Sequence, residues 1–324
     1  MKIAVIGLGS MGRRRIRLMR QHYPDFTIIG IDSRTDRQLQ AINEFGLIVA
    51  MSLNEVLDQI DAAFICTPPI THAGVLRHLL LKKKHVFCEL NLVSDGYDLF
   101  CKYNDSVLFL SSTLLYRKDV QYIQSSVAEQ RTNYIYHVGQ YLPDWHPWEN
   151  YKDFFVNEKR SNGCREVLAI ELPWLIRAFG TISQVHIQKD TMSSLELCYP
   201  DNFSILLTHS NNTRGFLAVD VVSRKAMRRL EVYSENLHLL WDGNPDSLMF
   251  YEIDKSKFLK VSTYDNYDCD NSYSDNIIET AYLEEMKVFF DEIEIFPKKS
   301  KRVLYTFQDD LYTISQIDLI EGLA

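Results

Sequence analysis

The sequence predicts an α/β protein: a doubly wound parallel sheet in the N-terminal part, then a region whose strands pair mostly antiparallel. Three observations carry this. An apolar run at residues 2–6 stops at a turn holding Gly7, Gly9 and Gly12, and a helical pattern follows. Over residues 1–112 short apolar runs alternate with helical stretches, and the runs are near-continuous, as in strands covered on both faces. Beyond residue 130 strand-like runs follow with short gaps and partial alternation, as at Leu195, Leu197 and Tyr199. That pattern suits an antiparallel sheet with two unlike faces.

In order, strands are predicted at 2–7, 26–32, 46–50, 62–66, 85–88 and 107–111, with helices at 11–22, 35–45, 52–57, 71–82 and 95–103. Such alternation places ligands at the carboxyl ends of the strands. A helix at 116–130 leads out, which sets the expected domains at 1–117 and 118–324. A strand at 133–142 runs into an irregular stretch rich in Trp, Tyr and charge. A helix at 164–179 precedes strands at 184–191, 195–199, 203–209, 215–222, 229–233 and 238–241. A polar loop at 268–276 leads to closing helices at 280–293 and 305–319.

The first turn carries the clearest chemistry. A strand, a tight turn and a helix N-terminus present backbone N–H groups to a pyrophosphate. In G-x-G-x-x-G, Gly7 allows the turn, Gly9 lets the phosphate approach, and Gly12 lets the helix pack on the strand. The next apolar run ends in Asp32, about 20 residues past the last glycine, where a carboxylate grips an adenosine ribose 2′-OH. The pattern points to a dinucleotide site that includes Ser10 and Met11. Asp32 favours NAD over NADP, because it accepts bonds from a hydroxyl and repels a 2′-phosphate. Arg34, two residues on, can grip a phosphate and keeps NADP possible.

Composition sets wider bounds. The 324 residues suit two domains, and a formal net charge of −8 argues against nucleic acid as a partner. Arg13, Arg14 and Arg15, with Arg17 and Arg20 close behind, read as a solvated helix face beside an anionic cofactor. Six scattered cysteines show no C-x-x-C pair, and Cys66 and Cys88 fall in apolar strand-like runs, which fits buried thiols there and a reducing compartment. The N-terminal apolar run is broken by glycines and followed by arginines, unlike a signal peptide. No apolar run is long enough to span a membrane. The expected setting is the cytoplasm, with no membrane partner. No metal-ligand spacing, P-loop or nucleophile elbow is present, so no metal is expected.

Further motifs resemble the glucose–fructose oxidoreductase / inositol dehydrogenase (Gfo/Idh/MocA) family. Cys66-Thr67-Pro68-Pro69-Ile70-Thr71-His72 resembles its T-P-x-x-x-H, and Lys84-His85-Val86-Phe87-Cys88-Glu89 resembles its G-K-H-V-x-x-E. Leu115-Tyr116-Arg117 resembles the segment that crosses into the second domain. The resemblance implies a Rossmann domain followed by an α/β domain with a large open sheet. It also implies nicotinamide bound between them, and often a dimer or tetramer formed through that sheet. Thr67, Pro68, His72 and Glu89 take cofactor roles by this likeness, and Tyr116 and Arg117 count with the substrate residues.

The departures are equally marked. The family reads E-K-P where this chain has Glu89-Leu90-Asn91, and Leu90 carries no proton. Aligning the family's G-G-G-x-x-x-D-x-G-x-H-x-x-D on Gly163 puts Val167, Glu171 and Trp174 at its Asp, His and second Asp. The expected function is an NAD(P)-dependent oxidoreductase passing hydride between nicotinamide and a hydroxyl or keto carbon of a sugar or nucleotide-sugar-like substrate. The alternatives are an inactive dinucleotide-binding regulatory or assembly protein, and an NAD-dependent glycosidase. The 140–153 stretch is the expected substrate segment, through Trp145, Trp148 and Tyr151. Its tryptophans equally suit a sheet edge or a subunit interface. His146, Lys152 and Glu171 are the candidate proton carriers. Arg160 and Arg165, flanking Gly163, are candidates for a substrate anion.

Overall fold

The glycine turn follows the central strand of a six-stranded, fully parallel sheet. In the computed structural model, which describes residues 1–128, 130–145, 150–269 and 277–323, this sheet comprises β1 (Lys2–Ile6), β2 (Thr27–Ile31), β3 (Ile48–Ala50), β4 (Ala62–Ile65), β5 (His85–Cys88) and β6 (Leu108–Leu110). Their order is β3-β2-β1-β4-β5-β6. This is the doubly wound order whose direction reverses between β1 and β4, and the turn after β1 stands at that switch point. Helices α1 (Ser10–His22), α2 (Thr35–Phe45), α3 (His72–Leu81) and the short α4 (Tyr97–Phe100) connect the strands. Residues 52–57 hold only a single turn at Leu53–Glu55.

The chain divides into two compact units, Met1–Ser112 with Tyr282–Leu311, and Thr113–Ala281 with the residues from Tyr312 onward. In the first unit Phe64, Phe87 and Phe109 are cross-strand partners on β4, β5 and β6 and stack at 4.7 and 5.0 Å. Phe289, from α7 (Glu279–Ile295), meets all three rings at steep angles with centroids 5.4–6.0 Å away. Offset and edge-on ring contacts add to simple burial, which is why this late segment covers an early sheet.

The arginine run departs from the expected solvated face. Arg14 and Arg15 are 3% and 0% exposed, and Arg13 pairs with Glu44. Arg15 Nε donates to Glu89 at 2.6 Å and its Nη2 to Glu285 at 2.8 Å. Glu285 also accepts from Ser112 N and Ser111 Oγ. Burial opposes the Arg15 charge, but the two carboxylates hold it protonated, while burial raises Glu285 above the usual carboxylate range. A buried cation is tolerated only with such partners.

The second unit is built on an eight-stranded sheet. After α5 (Lys118–Val127) come β7 (Asn133–Gly139) and α6 (Gly163–Phe179). The remaining strands are β8 (Ile182–Asp190), β9 (Asn202–His209), β10 (Arg214–Asp220), β11 (Met227–Tyr233), β12 (His238–Trp241), β13 (Met249–Glu252) and β14 (Lys257–Lys260). The order is β14-β13-β12-β11-β7-β10-β9-β8, antiparallel except for the β7–β10 pair. On β7, Tyr134, Tyr136 and Val138 are buried while Asn133 and Ile135 are exposed. The buried face packs on α6: Tyr134 stacks on Phe179 at 4.4 Å and Tyr136 meets Trp174 edge-on at 5.5 Å. The final helix α8 (Phe307–Glu321) closes the chain.

No strand forms at 195–199. Glu196 takes φ +55°, and the alternation there reflects two anchors, Leu195 and Tyr199, buried under a loop. Asp201 holds that loop by accepting from Met192 N and Ser193 N. The expected loop at 268–276 lies mostly outside the described residues. Among the described residues no helix is long and apolar enough to cross a membrane.

Candidate functional site

At the turn, Gly7 takes φ +95°, and its N–H donates to Ile31 O at 2.8 Å. A Cβ on Gly7 would lie 2.5 Å from Cys66 O, and one on Gly12 would lie 1.9 Å from Gly7 O. Neither position tolerates a side chain. Gly9 caps α1 with no side-chain hydrogen bond, and the helix has no acid in its first turn. Its positive end is therefore not neutralised by a carboxylate of that turn, which suits an anion. Ser10 and Met11 form that first turn and are partly exposed.

Asp32 faces the same turn. Its Oδ2 accepts from Leu8 N at 2.7 Å and its Oδ1 from Arg34 N at 2.8 Å. Each carboxylate oxygen retains acceptor capacity for a hydroxyl. Gln38 donates to Asp32 O at 2.6 Å, fixing the strand end. Arg34 turns its fork to Asp36, and that pairing holds the Asp36 carboxyl down to about 2. Arg37, which the motif analysis passed over, places Nη1 4.0 Å from Asp32 Oδ2. These features fit a dinucleotide: a tight backbone cradle, an uncapped helix end and an oriented carboxylate.

The β4 and β5 ends supply the neighbouring groups. A Cβ on Gly7 would also lie 2.8 Å from Thr67 N, so the 67–71 loop abuts the glycine turn. Thr71 Oγ1 donates to Pro68 O and stands within hydrogen-bond reach of the Thr67 hydroxyl, both at 2.8 Å. His72 is buried, with Nε2 2.7 Å from Thr67 O and Nδ1 2.6 Å from Asn91 Oδ1. Asn91 donates on to Tyr97, whose hydroxyl donates to Asp310. Burial pushes His72 below its ordinary value, against its two oxygen partners. His72 thus bolts the 67–71 loop in place. Glu89 is committed to Arg15.

In the second unit Glu171 is fully enclosed. Its Oε1 accepts from Arg228 Nε at 2.7 Å, and its Oε2 from Tyr136 OH at 2.7 Å and Trp174 Nε1 at 2.8 Å. Lys152 is exposed and pairs with Glu196 at 2.6 Å, which raises its pKa. Trp145 donates to Gln140 O and Tyr151 to Leu195 O, each at 3.0 Å. Tyr116 is buried. Arg117 is buried against Asp119 and donates to Gly243 O at 2.8 Å. Arg165 pairs with Asp318 at 2.6 Å and with Glu321, and Arg160 is exposed. His146 and Trp148 lie outside the described residues. Sequence reasoning missed Glu166. Its Oε2 is shielded from solvent without a hydrogen-bond partner among the described residues, and burial raises its carboxyl to about 7. Among the described residues no group of three His, Cys, Asp or Glu is placed to hold a metal ion.

The fold and the cradle define a dinucleotide-binding Rossmann protein joined to a large open-sheet unit. Residues 1–93 match the model of the Gfo/Idh/MocA family, described as an oxidoreductase family with an NAD-binding Rossmann fold. No curated protein matches the chain. Among known structures, UDP-N-acetylglucosamine 3-dehydrogenase from Acidithiobacillus ferrooxidans is 16% identical with a TM-score of 0.77, covering 100% of this chain and 97% of that one. An oxidoreductase from Agrobacterium radiobacter, in complex with NAD+, L-tartaric acid and magnesium, is 12% identical with a TM-score of 0.82, covering 100% and 96%. Levoglucosan dehydrogenase with NADH and L-sorbose is 14% identical with a TM-score of 0.76, covering 99% and 96%. At these identities the likeness is one of fold.

Proposed function

We propose that this chain is an NAD(P)-dependent oxidoreductase acting on a hydroxyl or keto carbon of a sugar or nucleotide-sugar-like substrate. The observation that carries the reading is the cradle of Gly7, Gly9 and Gly12 beside an oriented Asp32. When bound, the nicotinamide supplies hydride transfer. The turn's backbone and the α1 N-terminus hold the pyrophosphate, and Asp32 orients the ribose. Thr67 and Pro68, locked by His72, and Glu89, locked by Arg15, shape the rest of the cofactor site. Sugar-acting names among the structural relatives support the substrate class.

The chain must also move the proton of the reacting hydroxyl, and Leu90 cannot. His146, Lys152 and Glu171 remain the proposed carriers, joined by Glu166. Lys152, kept protonated by Glu196, suits giving a proton rather than removing one. Glu171, already accepting from three donors, suits orienting α6 and β11. Glu166, with a value near neutrality, suits exchange in either direction. Tyr116, Arg117, Trp145, Trp148, Tyr151 and Arg165 are the proposed substrate-side residues, with Arg117 and Arg165 acting from within their ion pairs.

We also propose assembly of a homodimer or homotetramer through the open sheet. Leu206, Phe216, Ile135, Glu231, Leu240 and Met249 stand opposite one another in register across six strands. Leu206, Ile135 and Phe216 are 54%, 44% and 36% exposed. An apolar row on a sheet face, interrupted by Glu231 with its partner His238, suits a copy of itself.

The test is a panel of sugars and nucleotide sugars followed at the reduced-nicotinamide absorbance band, with single His146→Ala, Lys152→Ala, Glu166→Gln and Glu171→Gln variants. Turnover lost in at least one variant is expected, and full kcat in all four refutes the proton assignments. NADH binding without turnover across the panel would favour the second reading, a dinucleotide-binding protein without redox activity. The loss of lysine at Leu90 and the saturated Glu171 speak for that reading.

A further inference from the structure

A run of buried polar side chains crosses the first unit from the 67–71 loop to α8. His72 opens α3, Asn91 follows β5, Tyr97 opens α4 and Asp310 lies in α8, and all four are buried. His72 Nε2 is 2.7 Å from Thr67 O, and its Nδ1 is 2.6 Å from Asn91 Oδ1. Asn91 Nδ2 donates to Tyr97 OH at 2.8 Å, and Tyr97 OH donates to Asp310 Oδ2. Tyr305 OH donates to Asp310 Oδ1 at 2.9 Å. Asn91 stands at the proline of the E-K-P motif, and a proline has no side-chain amide.

The hydrogens available limit what this run can hold. Thr67 O only accepts, so Nε2 carries a hydrogen. A neutral ring then has a bare Nδ1, and with Asn91 Oδ1 against it two acceptors meet at 2.6 Å. Turning the amide over puts its NH2 on Nδ1 and its oxygen on Tyr97. Tyr97 has one hydrogen. Given to Asn91, it leaves the phenol oxygen facing Asp310 Oδ2, again two acceptors unless Asp310 is protonated. Two arrangements satisfy every contact: an imidazolium with an Asp310 carboxylate, or a neutral ring with an Asp310 carboxylic acid. Both hold the same number of protons. A neutral ring with an ionised Asp310 leaves two acceptors in contact whichever way the amide points.

The other titratable groups near the run do not relieve this. Cys88 Sγ is 3.4 Å from His72 Nδ1, and burial holds it as the thiol, but its S–H does not come between Nδ1 and Asn91 Oδ1. Burial likewise raises the Cys66 and Cys101 thiols and, with Asp310, the Tyr97 phenol. Burial opposes a charge on His72, and the negative charge of Glu89, bonded to Arg15, favours it.

We propose that His72 and Asp310 share one proton through Asn91 and Tyr97, and that this proton clamps the 67–71 loop against the glycine turn. It belongs to the run as a whole and not to either end. Asn91, Tyr97 and Asp310 are then positioning residues for the cofactor loop. Losing the proton at alkaline pH makes one contact of the run repulsive and loosens the seat of His72, so dinucleotide affinity falls as pH rises. The effect on binding rests on the dinucleotide reading above, and the shared proton does not.

NMR of the full chain, labelled with 15N-histidine and 13Cγ-aspartate and assigned through the backbone, tests the proton without any cofactor. At about pH 8, above the ordinary histidine value, the wild type should show an imidazolium with an ionised Asp310 or a neutral ring with a protonated Asp310. A neutral ring beside an ionised Asp310 at that pH overturns the proposal. In Asp310→Asn the new amide satisfies the run with a neutral His72, so the ring should be the neutral Nε2–H tautomer, and an imidazolium there overturns the coupling. Calorimetric titration with NADH reads the consequence. Wild-type affinity should fall at least about threefold between about pH 7 and 9.5, and that of Asp310→Asn less than about twofold. A wild type unchanged by pH, or an equal fall in both proteins, overturns the clamp. A shared proton in a wild type that binds no NADH overturns the dinucleotide reading instead.

Discussion

Replacing Glu166 with Gln should stabilise the second unit relative to wild type, increasingly as pH rises from 5 to 8. Burial raises this carboxyl from 4.5 to about 7, and its shielded Oε2 has no hydrogen-bond partner among the described residues to favour the charged form. An acid whose folded value lies above its unfolded value contributes its full stability below the unfolded value. That contribution is lost as pH rises through the folded value. The window here is therefore about pH 4.5 to 7, and roughly 2.5 units across it correspond to at most about 3 kcal/mol. Gln is neutral and nearly isosteric, so it escapes the penalty. All four tryptophans, at 145, 148, 174 and 241, fall in the second unit, so tryptophan emission during urea unfolding reports on the part that holds Glu166. The stability difference between variant and wild type should be under about 1 kcal/mol at pH 5 and open to about 3 kcal/mol by pH 8. A difference that does not change with pH would refute a shielded, protonatable Glu166 carboxyl and remove it from the proton carriers.

Three other outcomes follow from the packing. Arg15→Met leaves Glu89 and Glu285 buried without their cation, which should cost about 3–5 kcal/mol in urea unfolding. Adding Glu285→Gln should recover part of it, and a cost under about 1 kcal/mol would mean that water reaches the pair. Gly12→Ala drives a Cβ into Gly7 O and should abolish NADH binding by titration calorimetry, so retained affinity would show that the turn is not the phosphate cradle. Phe216→Asp, in the middle of the open face, should convert an oligomer to monomer in sedimentation velocity, and an unchanged mass would move the interface elsewhere.

The cradle was legible because its constraints are local: a turn that only glycine can make, followed by a carboxylate at a fixed distance along the chain. Alternation of apolar runs marked the parallel sheet for the same reason, since each strand is buried on both faces. Arg15 was misread as part of a solvated face because a partner that makes its burial tolerable, Glu285, comes 270 residues later. At 195–199 two loop anchors imitate strand alternation. Strands β13 and β14 are four residues each and half-exposed, too short for a period to register. Glu171 was placed by likeness alone. Its ties to Tyr136 and Arg228 are 35 and 57 residues away. Glu166 and Arg37 left no trace in any motif, because one is distinguished by a shielded oxygen without a hydrogen-bond partner among the described residues and the other by its place in space.

The first unit is completed by residues 282–311, which are synthesised long after its sheet. Its sheet is finished by residue 110, yet the aromatic lid of Phe289 and Phe290 and the second carboxylate for Arg15 arrive some 170 residues later. During synthesis the Phe64–Phe87–Phe109 ladder therefore waits with one side uncovered. Closing so long a loop is slow, and exposed apolar surface on a waiting intermediate favours aggregation. A chain cut after residue 281 would hold every residue of the glycine cradle and still lack the cover of its own sheet. The nucleotide-binding half is thus best expressed as a fusion of 1–112 to 282–311 through a short linker, rather than as the N-terminal fragment that motif boundaries suggest.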